Sequence, residues 1–480
     1  MDNWERNRPG FVLLTSHWLS RFGLALIITA TSTWLFFLPA ELRGEVENPY
    51  KGAVLYLILP VIGFVGFILT VAGTMLGRRQ IRERLEAGVT DRKTALHRLV
   101  VFLVITIAAN LLIGTQLTYR AVTYMDTPQF CGAVCHVMRP EYVGHQDSTH
   151  ASVACAECHI VPSASGWIEA KMNGTRQLLE MVTNTYPQPI PSALESGRLV
   201  PSKETCESCH WVEKLVGTRL VVSPSYNADE QNSHSFTVLM MLVGGSKMEG
   251  IHQAHFAAGY EIRYAASDSK RQTIPWVERR NTRTGETKTY SASGTKPEQV
   301  TRLPKYSMQC VDCHNRPTHD FLLPDRALNR ALALGQVDAT LPYIKKQGLA
   351  VLQANYSSRA DAAQNIPSAI ETYYKQTYAQ VYAQRKADVQ RAGNAILAIY
   401  NQNVFPEMHV TWGTYPTNLG HTDSPGCFRC HDGSHTTADG KETVSQDCAA
   451  CHQLLAVGES SPEILKTLGL WDRIAALKAR

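Results

Sequence analysis

Ser148-Thr-His150-Ala-Ser-Val-Ala-Cys155-Ala-Glu-Cys158-His159 holds two cysteines two residues apart, with histidine directly after the second. That spacing attaches a c-type haem: two thioethers fix the porphyrin edge, and the adjacent imidazole reaches the iron. It recurs at Cys206-Glu-Ser-Cys209-His210, Cys310-Val-Asp-Cys313-His314, Cys427-Phe-Arg-Cys430-His431 and Cys448-Ala-Ala-Cys451-His452. A sixth site, Cys131-Gly-Ala-Val-Cys135-His136, has one extra residue between its cysteines. Together the six sites use all 12 cysteines. Disulfides are the default reading of so many cysteines in an exported chain, and zinc is the structural rival. Neither needs histidine after the second cysteine five times over. Six haem c are expected. At the irregular site either both cysteines form thioethers across a bulged loop, or Cys135 alone is bonded.

Upstream of these sites lie three uncharged apolar stretches, Phe22 to Ala40, Gly52 to Gly77 and Leu99 to Tyr119. Each is about the ~20 residues that cross a bilayer core as a helix. The segment between the second and third carries Arg78, Arg79, Arg82, Arg84, Arg92, Lys93 and Arg98, whereas that between the first and second has only Arg43 and Lys51. The positive-inside rule then puts the N-terminus in the cytoplasm and everything after Arg120 outside. The expected setting is the bacterial inner membrane with the haem region in the periplasm, where c-type attachment is completed. His17 and His97 fall near the cytoplasmic ends and are set aside as ligands. At 480 residues the chain is long enough for two or three domains, and its net charge of +5 gives no reason to expect nucleic acid.

Low-spin electron-transfer haems need a second axial ligand, usually His or Met. Of 17 histidines, the six in the motifs are the proximal candidates: His136, His159, His210, His314, His431 and His452. The distal candidates are His150, five residues before Cys155; His319, five after His314; His421, six before Cys427; and His252, His255, His409 and His435. His252 and His255, three apart, can share a helical face. His145 and His234 rank lower, and spacing alone pairs none of these with a particular haem. The motifs from His210 to Cys310 and from His314 to Cys427 are far apart in sequence, which suggests two or three haem clusters.

The passage Met125-Asp-Thr-Pro-Gln-Phe-Cys131 … Cys135-His136-Val-Met138-Arg-Pro, followed by Ser148-Thr-His150 and Cys155-Ala-Glu-Cys158-His159, resembles the NapC/NirT family of quinol-oxidising membrane cytochromes. The resemblance covers roughly residues 118 to 210. It implies that Met138, rather than His136, ligates the first iron, although the family motif has only two residues between its cysteines. It also implies a quinol contact at Lys171 in Trp167-Ile-Glu-Ala-Lys171, where a snorkelling interfacial lysine is the bland alternative. The acidic group that the family sets near its first haem has no clear match; Glu169, Glu180 and Asp147 are candidates. With six sites, and with the stretches from His252 to Val277 and from Val404 to His435, the chain is similar to the larger ImcH-like inner-membrane cytochromes.

Strands are expected at Tyr260–Tyr264, Thr273–Val277 and Thr287–Tyr290, with a turn at Asn281–Gly285. A helix with a tyrosine-rich packing stripe is expected from Pro367 to Tyr400, with Pro367 in its first turn, and an amphipathic terminal helix from Ser461 to Arg480. The expected fold is mostly α: a three-helix membrane anchor (1–119), a NapC/NirT-like haem domain (120–218), and a C-terminal multihaem region with a small β insertion and a long helix (219–480). The expected function is oxidation of a membrane quinol, menaquinol for preference, with electrons passed to periplasmic cytochromes or reductases. The alternatives are a terminal multihaem reductase of a small oxyanion and a passive redox anchor for partner cytochromes.

Overall fold

The structure is a computed structural model. It describes residues 17–42, 57–86, 92–114, 116, 120, 124, 127–134, 136–161, 163–197, 200–211, 214–245, 250–256 and 258–472. The helices used below are α1 (Trp18–Leu42), α2 (Leu59–Glu86), α3 (Arg92–Ala109), α4 (Arg139–Gln146), α5 (Ala164–Val182), α6 (Ile251–Phe256), α7 (Pro324–Ala333), α8 (Ile344–Leu352), α9 (Arg359–Thr377) and α10 (Ala379–Asn403). The chain is mostly helical with some sheet, and it forms two compact units. One unit is Met1–Val134 with Ala154–Thr185, the other Cys135–Val153 with Tyr186–Arg480.

In the first unit, α1 and α2 cross where their residues are small. A Cβ on Gly23 would lie 2.5 Å from the Gly66 carbonyl oxygen, and one on Gly73 2.2 Å from the Ser20 nitrogen. Such close backbone approach at glycine and serine is how helices associate in lipid, where apolar side chains gain nothing by leaving the solvent. Phe64, Phe67, Ile105 and Leu112 point outward and are exposed. Of the described helices, Leu59–Gly77 is long and apolar enough to cross a membrane, and His97–Leu112 is a shorter apolar helix. Residues 52–56, 115 and 117–119 of the expected spans lie outside the described residues. The arginines expected in a connecting loop instead extend the helices, since α2 runs on through Arg84 to Glu86. α5 begins at Ser163, whose hydroxyl accepts from the Gly166 N–H as an N-cap.

The second unit is built on two small sheets and a helical core. β1 (Gly217–Tyr226), β2 (His234–Gly244) and β7 (His452–Glu459) form one antiparallel sheet in the order β1-β2-β7. The other has the order β5-β4-β3-β6, from β3 (Tyr260–Ala265), β4 (Trp276–Asn281), β5 (Thr287–Ser291) and β6 (Lys305–Ser307). The β insertion is therefore larger than the sequence suggested, and its second strand begins only after Pro275, which has no N–H to give a ladder. The β4–β5 turn falls at Asn281–Gly285, with Gly285 at φ 75°.

The tyrosine-rich segment is two helices. α9 contains Pro367 in its interior, not its first turn, and the chain breaks at Tyr378 before α10. The two pack closely because Gly393 has no side chain: a Cβ there would sit 3.1 Å from Pro367 Cα. Leu328, Ile344, Ile366, Ile370, Tyr374, Val389 and Ile396 close this core with α7 and α8. In the expected terminal helix Glu463–Thr467 is helical, Leu468–Leu470 is not, helix resumes at Trp471 and Asp472, and residues 473–480 lie outside the described residues.

Candidate haem-binding and quinol sites

The attachment motifs lie on short helical turns, which bring residues three apart to one side. Cys155–His159 and Cys310–Cys313 are α-helical; Cys206–Ser208, Gly426–Arg429 and Cys448–Ala450 are 3₁₀ turns. The irregular motif runs through a π-helical turn, Phe130–Val134, then a 3₁₀ turn, His136–Met138. A π turn accommodates one residue more than an α turn, so the local winding takes up the extra residue. Cys135 and the side chains of His136 and Lys171 lie outside the described residues; the Lys171 backbone belongs to α5.

No disulfide joins the cysteines among the described residues. Nor do any three His, Cys, Asp or Glu side chains there converge to hold a metal ion, as a zinc site would require. Histidines pair instead. The ring centroids of His150 and His210 are 6.0 Å apart, those of His252 and His314 6.2 Å, those of His255 and His431 5.7 Å, and those of His421 and His452 6.2 Å. With metal–nitrogen bonds of about 2 Å, imidazoles on opposite faces of one iron have centroids roughly 6 Å apart. Each pair joins one motif histidine to one distal candidate, so the residues present fit haem iron.

The other ring nitrogen is occupied in several of these rings. Nδ1–H of His252 donates to the Val243 carbonyl at 3.0 Å, that of His255 to Ile251 at 2.7 Å, and that of His431 to Ser445 at 2.7 Å. This is the usual support of a ligating imidazole, and it leaves the Nε2 lone pair for metal. Burial pushes the His255 and His314 rings below the usual histidine value, which favours the same neutral form. His319 is held alike, Nδ1 donating to the Glu141 carbonyl at 2.8 Å. Glu141 also takes the Arg316 guanidinium at 3.1 Å, and Arg316 Nε donates to the His319 carbonyl.

Two distal candidates have other positions. His435 is buried with both nitrogens engaged, Nδ1 to Asp432 at 3.1 Å and Nε2 to the Ile274 carbonyl at 2.7 Å. Among the described residues no histidine ring faces it, and its hydrogen bonds tie it to the protein. His409 is exposed at φ 54°, and among the described residues no histidine ring faces it. Of the lower-ranked pair, His145 bonds the Val153 carbonyl through Nε2 with its ring 6.4 Å from that of His319, and His234 lies tilted against Tyr226 and edge-on to Phe236. The candidate acids Glu180 and Asp147 face Arg176 at 3.6 Å and Arg330 at 3.9 Å.

Several of the motif thiols are buried beside thiols of another motif. A hydrogen bond from Cys131 and then burial raise the Cys155 thiol well above its usual value. Burial raises Cys310, with Cys206 adding to it. Burial pushes Cys313 up to about 11, Arg429 opposing and Cys427 adding; it pushes Cys430 up to about 12, with Cys313 adding. Burial also raises Cys451, and Cys427 adds to that. Hydrogen bonds link the motifs of the second unit in turn: the Ser202 N–H before the third donates to Gln309 beside the fourth at 2.9 Å, Arg429 of the fifth donates to the Asp312 carbonyl of the fourth at 2.6 Å, and His431 of the fifth donates to the Ser445 carbonyl before the sixth at 2.7 Å. The long sequence gaps do not divide them, because the intervening chain folds away as sheets and helical core.

Sequence reasoning missed the polar groups that lock these motifs. Asp312, inside the fourth motif, accepts from Arg271 at 3.1 Å, from Tyr264 and from the Gln309 N–H at 2.7 Å. Arg429, inside the fifth, donates to the Asp312 carbonyl at 2.6 Å and the Arg271 carbonyl at 2.8 Å. Phe428 stacks on His421 at 4.2 Å. The x positions of the motif give no local signal for such long-range partners.

The model of the NapC/NirT cytochrome c family, N-terminal region, matches residues 92–218. The chain is 35% identical over 457 residues to cytochrome c-type protein ImcH of Geobacter sulfurreducens, covering 93% of this chain and 89% of that protein. It is 30% identical over 115 residues to cytochrome c-type protein NrfH of Wolinella succinogenes, covering 23% of this chain and 62% of that protein. No solved structure matches. With its cysteine pairs on helical turns and its facing histidines, the chain belongs to the NapC/NirT cytochrome c family and carries covalently bound haem c.

Proposed function

We propose that this protein is a membrane-anchored hexahaem cytochrome that oxidises a membrane quinol and relays the electrons to an exported cytochrome or reductase. The observation that carries this reading is that, of the facing histidine pairs among the described residues, four join a motif histidine to a distal one. An iron closed on both faces by imidazole passes electrons and does not bind a substrate. A terminal reductase needs an open iron, often marked by Cys-x-x-Cys-Lys, and the sequence has no such motif.

Covalent haem supplies the one-electron redox chemistry. The chain's own part is to tether and ligate. Cys131, Cys135, Cys155, Cys158, Cys206, Cys209, Cys310, Cys313, Cys427, Cys430, Cys448 and Cys451 hold the six groups. His150, His252, His255 and His421 would ligate the irons of the third to sixth sites. His319, held by Glu141, would ligate a further iron, and Met138 would serve the first site. Three spans, α1, α2 and α3 with its continuation, anchor the chain with its N-terminus in the cytoplasm and the haem region in the periplasm.

Oxidation of one quinol releases two electrons and two protons, giving quinone. The electrons leave one at a time for the exported acceptor, and the protons need a polar group at the membrane surface. Lys171 on α5 is the proposed quinol contact. Lys171→Gln is expected to slow haem reduction by a menaquinol analogue at least tenfold, about 1.4 kcal/mol of barrier, while dithionite still reduces every haem. An unchanged rate removes Lys171 from the site. Nitrite added to the reduced protein is expected to be left unreduced; turnover would favour the reductase reading.

A further inference from the structure

We infer that α6 ligates two irons at once: His252 closes the haem held by Cys310 and Cys313, and His255 closes the haem held by Cys427 and Cys430, so that these two sites form one rigid pair. The inference rests on haem attachment at these motifs and not on quinol oxidation.

His252 and His255 are three apart on a six-residue helix. In an α-helix that spacing places them roughly 60° apart around the axis and about 4.5 Å along it. They share a face and face different partners. His252 is 6.2 Å from His314 with the rings nearly parallel, at 5°. His255 is 5.7 Å from His431 with the rings crossed, at 66°. Each Nδ1–H is spent on a backbone carbonyl, Val243 or Ile251, so each neutral ring turns a lone pair outward at Nε2. Ligation is the gift of that lone pair to iron. No proton or electron is exchanged, and any water on that face leaves.

The helix is fixed at both ends. It follows β2, whose Val243 carbonyl accepts the His252 Nδ1–H hydrogen bond, and leads into β3. β3 pairs with β6, which runs into Cys310. The tethers are tied independently of the helix. Arg429 of the fifth motif bonds the Asp312 and Arg271 carbonyls, and Asn418 donates to the Asp312 carbonyl at 3.0 Å. Shifting either attachment site would drag the other.

Spin state tests this on the purified full-length holoprotein, oxidised and reduced chemically so that quinol plays no part. By electron paramagnetic resonance, His252→Ala is expected to turn one rhombic low-spin signal, that of near-parallel imidazoles, into a high-spin one. His255→Ala should remove one strongly anisotropic low-spin signal, that of crossed imidazoles. The double variant should lose both, and added imidazole should restore each. His409→Ala is expected to change nothing, and intact mass should show the full haem complement throughout. Loss of the same signal in both single variants, or no change in either, overturns the inference. If the alanine variants fail to assemble, His252→Met and His255→Met carry the test. Each is expected to raise the midpoint of one different haem while keeping it low-spin, and unchanged potentials overturn the inference equally.

Discussion

Asp312→Ala is expected to destabilise the haem-bearing unit by about 3–5 kcal/mol, the cost of leaving a buried charge without its partner. Asp312 and Arg271 are 3% and 8% exposed, and their charged groups meet at 3.1 Å. The Arg271 guanidinium also lies 3.7 Å from the Tyr306 ring centroid and donates to the Tyr264 hydroxyl. Burial, with the Asp312 charge behind it, holds the Tyr264 phenol far above its usual value, so it stays protonated and donates to the carboxylate. Alanine at 312 would leave Arg271 desolvated and the Gln309 N–H without its acceptor. Chemical denaturation followed at the haem Soret band reads the change. A loss below about 1 kcal/mol, the scale of a surface pair, would show that the network is not what holds the fourth motif.

The second large effect concerns order. Replacing Cys310 and Cys313 together by serine should remove one haem, read as one haem of intact mass. It should also leave the haems at Cys427/Cys430 and Cys448/Cys451 oxidised when quinol is supplied, because the fourth motif is bonded to the third through Gln309 and Ser202 and to the fifth through Asp312 and Arg429. The matching change at Cys448 and Cys451 removes the last site of the series. There every remaining haem should still follow quinol. Equal quinol-driven reduction in the two variants would contradict a single series, and dithionite reduction of both confirms that their haems are intact.

The attachment chemistry was legible because it is local: Cys, Cys and His sit within five residues, and a helical turn does the rest. The insertion at Cys131–Cys135 was visible as an anomaly, and its resolution as a π turn follows from winding alone. Strands β3 and β5 and the Asn281–Gly285 turn were legible for the same reason. The place of β7 was not, since it pairs with β2 across some two hundred residues, and the β1–β2 hairpin was missed although it is local. The distal histidines could be shortlisted by proximity to motifs, but their pairing is tertiary. His252 and His255 look equivalent in sequence and face different partners. His435 looks as good a ligand as His421 until both its nitrogens are found bonded. Asp312 and Arg429 are invisible as a pair because they occupy variable positions of two motifs more than a hundred residues apart.

Quinol is the proposed electron donor. The most direct measurement is an anaerobic titration of the full-length protein, reconstituted in lipid, with a menaquinol analogue while the haem absorption is followed. Reduction at two electrons per quinol is expected, with up to three quinols consumed for the six sites. Haems that stay oxidised under quinol in a sample that dithionite reduces completely would contradict it.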